Sequence, residues 1–125
     1  MNTKVIIIIV LVSILGGGGA VWLLSRPPKP QVTGLDDFAK CLTEKGLVMY
    51  GAYWCPHCQA QKKLFGDSFQ YVKYVECTTQ AQLCLDMKVE GYPTWIASDG
   101  ARLVGEIPLD KLATVTACQL PTGLQ

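Results

Sequence analysis

Cys55 and Cys58 stand three positions apart in Trp54-Cys55-Pro56-His57-Cys58. That spacing closes a small disulfide ring when the second thiol lies at or inside the start of a helix. The run Leu47-Val48-Met49-Tyr50-Gly51 reads as a buried strand, and Gln59 to Phe65 as a helix with Ala60, Leu64 and Phe65 available to pack. Cys55 is therefore expected at a helix N-terminus, where unpaired N–H groups and the macrodipole favour a negative sulfur. The thiolate is the reactive form of the side chain. Pro56 suits the first helical turn, since its missing N–H has no partner there in any case. His57 adds a candidate cation beside the sulfur. Stabilising the reduced form makes a dithiol pair a stronger oxidant, so the pattern points to thiol–disulfide exchange weighted toward the oxidising end.

Two other chemistries use Cys-x-x-Cys: an inert disulfide and half of a zinc site. The usual zinc site needs four ligands, commonly with a second pair at some distance. His57 is the single histidine and lies inside the first pair, while Cys77 and Cys84 are widely spaced for a knuckle. Redox chemistry is the expected use, with no metal and no cofactor beyond the disulfide itself.

The elements that must hold this pair follow from the rest of the chain. Leu35, Phe38, Ala39 and Leu42 repeat at helical spacing, with Gly46 as the stop. Tyr71 to Glu76 is rich in strand formers, and Gln80 to Met87 reads as a short helix. Thr94 to Ala97 and Arg102 to Val104 flank Ser98-Asp99-Gly100, which fits a hairpin turn. Leu109 to Cys118 reads as a closing helix. The order predicts an α/β fold with a mixed sheet covered on both faces by helices.

The chain has 125 residues and a formal net charge of +1, without the basic excess that a nucleic-acid partner calls for. No charge interrupts Val5 to Leu24, a stretch about 30 Å long as a helix, which matches a bilayer core. An uncleaved membrane anchor over residues 1–25 is expected, because Val21-Trp22-Leu23-Leu24 continues the apolar run past the small residues that would suit signal cleavage. A cleaved signal peptide is the alternative. Pro27, Pro28 and Pro30 make residues 26–33 an extended spacer. The folded domain is expected over 34–120, with a tail at 121–125.

Trp-Cys-x-x-Cys after a strand, with Gly91-Tyr92-Pro93-Thr94 before the hairpin, resembles the thioredoxin fold. More closely, Met49 to Gln59, Leu64-Phe65-Gly66, Tyr74-Val75-Glu76-Cys77 and Gly91 to Trp95 look like the thioredoxin-like domain of bacterial vitamin K epoxide reductase homologues. The resemblance implies Cys55 as nucleophile, Cys58 as resolving thiol and Pro93 as a cis-proline facing them; residue types alone equally allow a trans turn there. It also implies that the backbone at Tyr92 binds substrate as an added strand. Tyr53, Trp54, Tyr92 and Thr94 are the candidate substrate contacts, with core packing an equal alternative for Trp54. Many members carry a buried acid where this chain has Met49. Glu76 and Lys73 are candidate substitutes, or else ordinary solvated charges.

Six cysteines after an export-like segment indicate oxidising surroundings. In the resembled family a second disulfide occurs near Cys77 and Cys84. The first and last helices are expected on opposite sheet faces, leaving Cys41 and Cys118 as two buried thiols, with a bond between them as the alternative. The whole reads as a membrane-tethered, extracytoplasmic protein-disulfide oxidoreductase acting on exported cysteine-containing proteins. The resemblance supplies a membrane vitamin K epoxide reductase-like oxidase as its partner. A reductase for cytochrome c maturation or disulfide repair, and a copper or zinc carrier using Cys55, His57 and Cys58, are the alternatives.

Overall fold

The computed structural model describes residues 34–124. The expected anchor at 5–24 and the spacer at 26–33 lie outside the described residues. Among the described residues no helix is long and apolar enough to cross a membrane.

Helix α1 spans Leu35–Glu44 and buries Leu35, Phe38, Ala39 and Leu42, the four positions its periodicity singles out. Asp36 and Asp37 in its first turn complement the positive end of the helix dipole. Gly46, at φ 76°, then turns the chain into the sheet in a conformation that a side chain would strain.

Strand β1, Val48–Gly51, lies parallel to β2, Tyr74–Glu76, and antiparallel to β3, Thr94–Ile96. Strand β4, Arg102–Val104, completes the sheet in the order β2-β1-β3-β4. Met49 stands opposite both Tyr74 and Trp95, so alternation places these three on one face and Tyr50, Val75 and Ile96 on the other. The expected mixed sheet is therefore present.

The helices divide unequally between the faces. Helix α1, helix α2 (Pro56–Phe65) and helix α4 (Leu109–Thr116) deliver Phe38, Leu42, Phe65 and Leu112 to the face carrying Met49 and Trp95. The short α3, Ala81–Asp86, borders a smaller cluster of Tyr50, Val75, Ile96, Cys77 and Cys84. This corrects the expectation for Cys41 and Cys118. Helices α1 and α4 share a face, and the two cysteines form a disulfide with Cα atoms 5.9 Å apart. Cys77 and Cys84 form a second disulfide.

Helix α2 buries Phe65 as expected but departs from expectation at its neighbours. Cys58, Gln61 and Phe65 face inward, whereas Leu64 is exposed and Ala60 only half-buried. A 3₁₀ turn, Gly66–Tyr71, leads from α2 to β2. It is tied to α1 by Thr43, whose hydroxyl donates to the Tyr71 carbonyl at 2.8 Å and accepts from the Lys73 amide at 2.9 Å.

Candidate active site

Cys55 caps the N-terminus of α2 in an extended conformation, and Pro56 takes the first helical position. The Cys55 carbonyl accepts the first helical hydrogen bond, from the Gln59 amide at 3.1 Å. Both sulfurs are free thiols beneath the surface, Cys55 at 5% exposure and Cys58 at 0%. Cys55 is thus the sulfur nearer solvent, and Cys58 lies one turn deeper. Burial pushes the Cys58 thiol up to about 11, against the opposing pull of a hydrogen bond with the Ala52 backbone and the Lys62 charge.

The loop before β3 closes over this helix start. The Tyr92–Pro93 bond is cis, as the resemblance implies. The Cys55 thiol donates to the Tyr92 carbonyl across 3.7 Å, joining the helix start to that loop. Pro93 is buried, and its carbonyl accepts from the Gly105 amide at 2.8 Å. Thr94, expected at the substrate surface, is itself buried. Its hydroxyl donates to the Gly91 carbonyl at 2.8 Å, so it shapes the loop rather than presenting a contact.

Two aromatic rings flank the thiols at the surface. Tyr53 is 68% and Trp54 58% exposed, which resolves the alternative for Trp54 in favour of the rim over the core. The Trp54 ring stands edge-on to Tyr92, with centroids 6.2 Å apart. Trp54 and Tyr92 thus put two packed aromatic rings next to the Cys55 end of the helix.

His57 is exposed, as its place early in the helix predicts, and its Nδ1 lies 2.5 Å from Oε1 of Glu106. One turn on, the buried Gln61 donates to the Ile107 carbonyl at 2.9 Å and accepts from the Ile107 amide at 2.6 Å. The segment from Gly105 to Ile107 therefore holds both the Pro93 loop and the thiol-bearing helix. Gln61 has a signal in the sequence: an amide three positions after Cys58, on the stripe that must face inward. Glu106 has none, since 49 residues separate it from His57.

On the other side of Cys58, Gly51 leaves room for the sulfur. A Cβ there would fall 2.7 Å from Cys58 Sγ, 3.2 Å from a Tyr74 ring carbon and 3.4 Å from the Tyr74 hydroxyl. That hydroxyl donates to Glu76 at 2.7 Å. Of the two candidates named from sequence, Glu76 holds the Tyr74 hydroxyl and Lys73 is exposed; Lys62, with Nζ 3.8 Å above the Tyr74 ring, supplies a cation near Cys58.

A thiol at the N-cap position of a helix, a buried second thiol one turn on and a cis-proline loop facing them define a dithiol centre of the thioredoxin type. The family model described as Thioredoxin matches residues 31–117, and the chain belongs to the thioredoxin family. Among its relatives is the thiol-disulfide oxidoreductase LTO1 of Arabidopsis thaliana, 43% identical over 91 residues, which cover 66% of this chain and 24% of that protein. The protein disulfide-isomerase of Aspergillus niger is 32% identical over 93 residues, covering 67% of this chain and 18% of its own. The chain thus spans about a quarter or less of these relatives. A solved structure of chloroplastic thioredoxin z covers 69% of this chain and 88% of its own at 16% identity, with a TM-score of 0.49.

Proposed function

We propose that this chain is a membrane-tethered thiol–disulfide oxidoreductase that forms disulfides in exported proteins. The observation that carries the exchange reading is the unequal placement of its two free thiols. Cys55 sits at the helix start under the Tyr92–Pro93 loop, and Cys58 lies fully enclosed behind it. Attack by a substrate thiolate on an oxidised Cys55–Cys58 pair forms a mixed disulfide at Cys55 and leaves Cys58 reduced. A second substrate thiolate then displaces Cys55, so the substrate gains a disulfide and the pair gains two electrons. The names of the relatives, a thiol-disulfide oxidoreductase and a protein disulfide-isomerase, support this class of reaction.

The tether is supported by the uncharged run from Val5 to Leu24 and the proline spacer after it. An extracytoplasmic location is supported by the two disulfides outside the active site, which persist in oxidising compartments. Turnover needs an acceptor for the electrons. The likeness of the Met49-to-Gln59 stretch to vitamin K epoxide reductase-associated domains supports a membrane oxidase of that kind, held near this pair by the short spacer. No cofactor other than the dithiol is required for the exchange itself.

Alkylation of thiols in intact cells, followed by mass measurement, reads the resting state of Cys55 and Cys58. A mainly oxidised pair is the expected result. A mainly reduced pair that becomes oxidised when a membrane electron donor is removed would reverse the direction of flow and establish a reductase.

A further inference from the structure

The resolving step requires a proton to leave a thiol that has no access to solvent, since Cys58 is 0% exposed. Sheet alternation places three side chains beside that sulfur. Met49 and Trp95 offer it no acid or base, whereas Tyr74 on β2 faces the same side. The Cys58 sulfur and the Tyr74 hydroxyl both approach the vacant side of Gly51, at 2.7 and 3.4 Å from one point. The two groups are therefore no farther apart than one bridging water spans, a reach that allows proton transfer through that water. The Tyr74 hydroxyl donates to Glu76 Oε2 at 2.7 Å. The other Glu76 oxygen accepts from the Thr78 hydroxyl at 2.7 Å, at the exposed end of the strand.

We propose that Tyr74, positioned by Glu76, is the route by which the buried Cys58 thiol exchanges its proton with solvent during the resolving step. The proposal rests on the exchange reading above and deepens it. The Cys58 proton passes to the Tyr74 oxygen as the phenolic proton moves to Glu76, which returns it to water. The Cys58 thiolate attacks the Cys55 sulfur of the mixed disulfide, and the Cys55–Cys58 bond forms. The bond to the substrate sulfur breaks, and that sulfur departs with the electron pair as a thiolate. The dithiol is oxidised and the substrate disulfide reduced; in the opposite direction every transfer is reversed. Glu76 acts through Tyr74 and is a positioning residue.

The charged surroundings of Cys58 agree with this route. From its own helix it faces Cys55 and the Lys62 ammonium, and from β2 it faces Tyr74 and, through it, Glu76. The Lys62 charge favours the Cys58 thiolate once formed. Burial first, and then the bond to Glu76, hold the Tyr74 phenol well above its usual range, so it carries a proton through without remaining ionised. Burial acts to raise Glu76, but hydrogen bonds from Thr78 and Tyr74 outweigh it and keep the carboxyl below its usual range. Glu76 is therefore held as a carboxylate that accepts the phenolic hydrogen bond.

The test uses the full chain, reduced, mixed with dithionitrobenzoate. Attack by Cys55 releases one coloured thiolate, and displacement by Cys58 releases a second. Tyr74→Phe keeps the ring beneath Lys62 and removes only the hydroxyl. It is expected to leave the first release unchanged and to slow the second roughly a hundredfold at pH 7, the lower end of what positioned proton transfer contributes. The deficit should close as pH rises toward about 11, where Cys58 ionises unaided. Glu76→Gln should slow the same phase by less, and it decides the matter if Tyr74→Phe folds poorly. A second release with the wild-type rate and pH profile in both variants overturns the proposal. Equal slowing of both releases in both variants marks a structural role and overturns it too. A wild type that yields no second thiolate overturns the exchange reading itself, and the proposal with it.

Discussion

The Cys58 sulfur fills the space that a side chain on Gly51 would need, lying 2.7 Å from where a Cβ would fall. A cysteine sulfur on a packed helix has little freedom to retreat, and the Tyr74 ring closes the other side at 3.2 Å. Gly51→Ala is expected to destabilise the reduced protein by about 1–3 kcal/mol through overpacking. Gly91→Ala, where an added Cβ meets nothing within 4 Å, is the control and should be nearly neutral. Denaturant unfolding of both variants checks the contrast, and equal losses would contradict it.

The enclosure of Cys58 has a consequence for stability against pH. Burial raises its thiol to about 11 from an ordinary 9.0, so folding favours the neutral form. The contribution is complete below about pH 9 and is lost as pH rises through about 11. The oxidised protein has no thiol at this position. The stability of the reduced form relative to the oxidised form should therefore fall, by on the order of 2 kcal/mol, across that interval. Parallel unfolding curves for the two forms between those pH values would contradict the cause assigned.

Much of this arrangement is legible in the residues. The repeat of Leu35, Phe38, Ala39 and Leu42 marks α1, and Asp99-Gly100 marks the hairpin, because local periodicity and turn chemistry determine both. The dithiol centre is legible because its members are adjacent in sequence. Glu76 is legible as a substitute for the acid missing at Met49, whereas Gln61, Glu106 and the approach of Tyr74 to Cys58 are not. Their partners come from other elements, and spacing along the chain carries no information about contacts made through the sheet. The Cys41–Cys118 bond is not legible in the sequence for a related reason. Which face a helix covers depends on the path of its connections, and α1 and α4 both pack over Met49 and Trp95.

The two structural disulfides should differ in what they contribute. Cys41 and Cys118 close a separation of 77 residues, and Cys77 and Cys84 one of 7. Constraint of the unfolded chain gives about 4.5 kcal/mol for the long loop and about 2.5 kcal/mol for the short one. Replacing each pair by alanines and measuring unfolding should show the larger loss for Cys41→Ala with Cys118→Ala. Equal losses, or the reverse order, would remove the loop-length explanation.

Tyr53 and Trp54 are exposed at the thiol-bearing helix start, and under the proposed function they dock protein substrates without taking part in the sulfur chemistry. Trp54→Ala should raise KM for an unfolded cysteine-containing protein about tenfold, equivalent to about 1.4 kcal/mol of lost docking. Its rate with a small aryl disulfide should be unchanged. A parallel loss with both substrates would show that the ring instead supports the helix start.

Division of labour between the two thiols is most directly tested by trapping. With Cys58→Ser in the full chain, the resolving thiol is gone, and an attacked substrate disulfide has no route to release. Incubation of the reduced variant with a disulfide-bonded peptide, followed by peptide mapping under non-reducing conditions, should yield one adduct per chain, on Cys55. Cys55→Ser should yield almost none at neutral pH, because the remaining thiol is enclosed and protonated. Adducts forming equally on Cys58 of the Cys55→Ser variant, or none on Cys55 of the Cys58→Ser variant, would contradict Cys55 as the attacking sulfur.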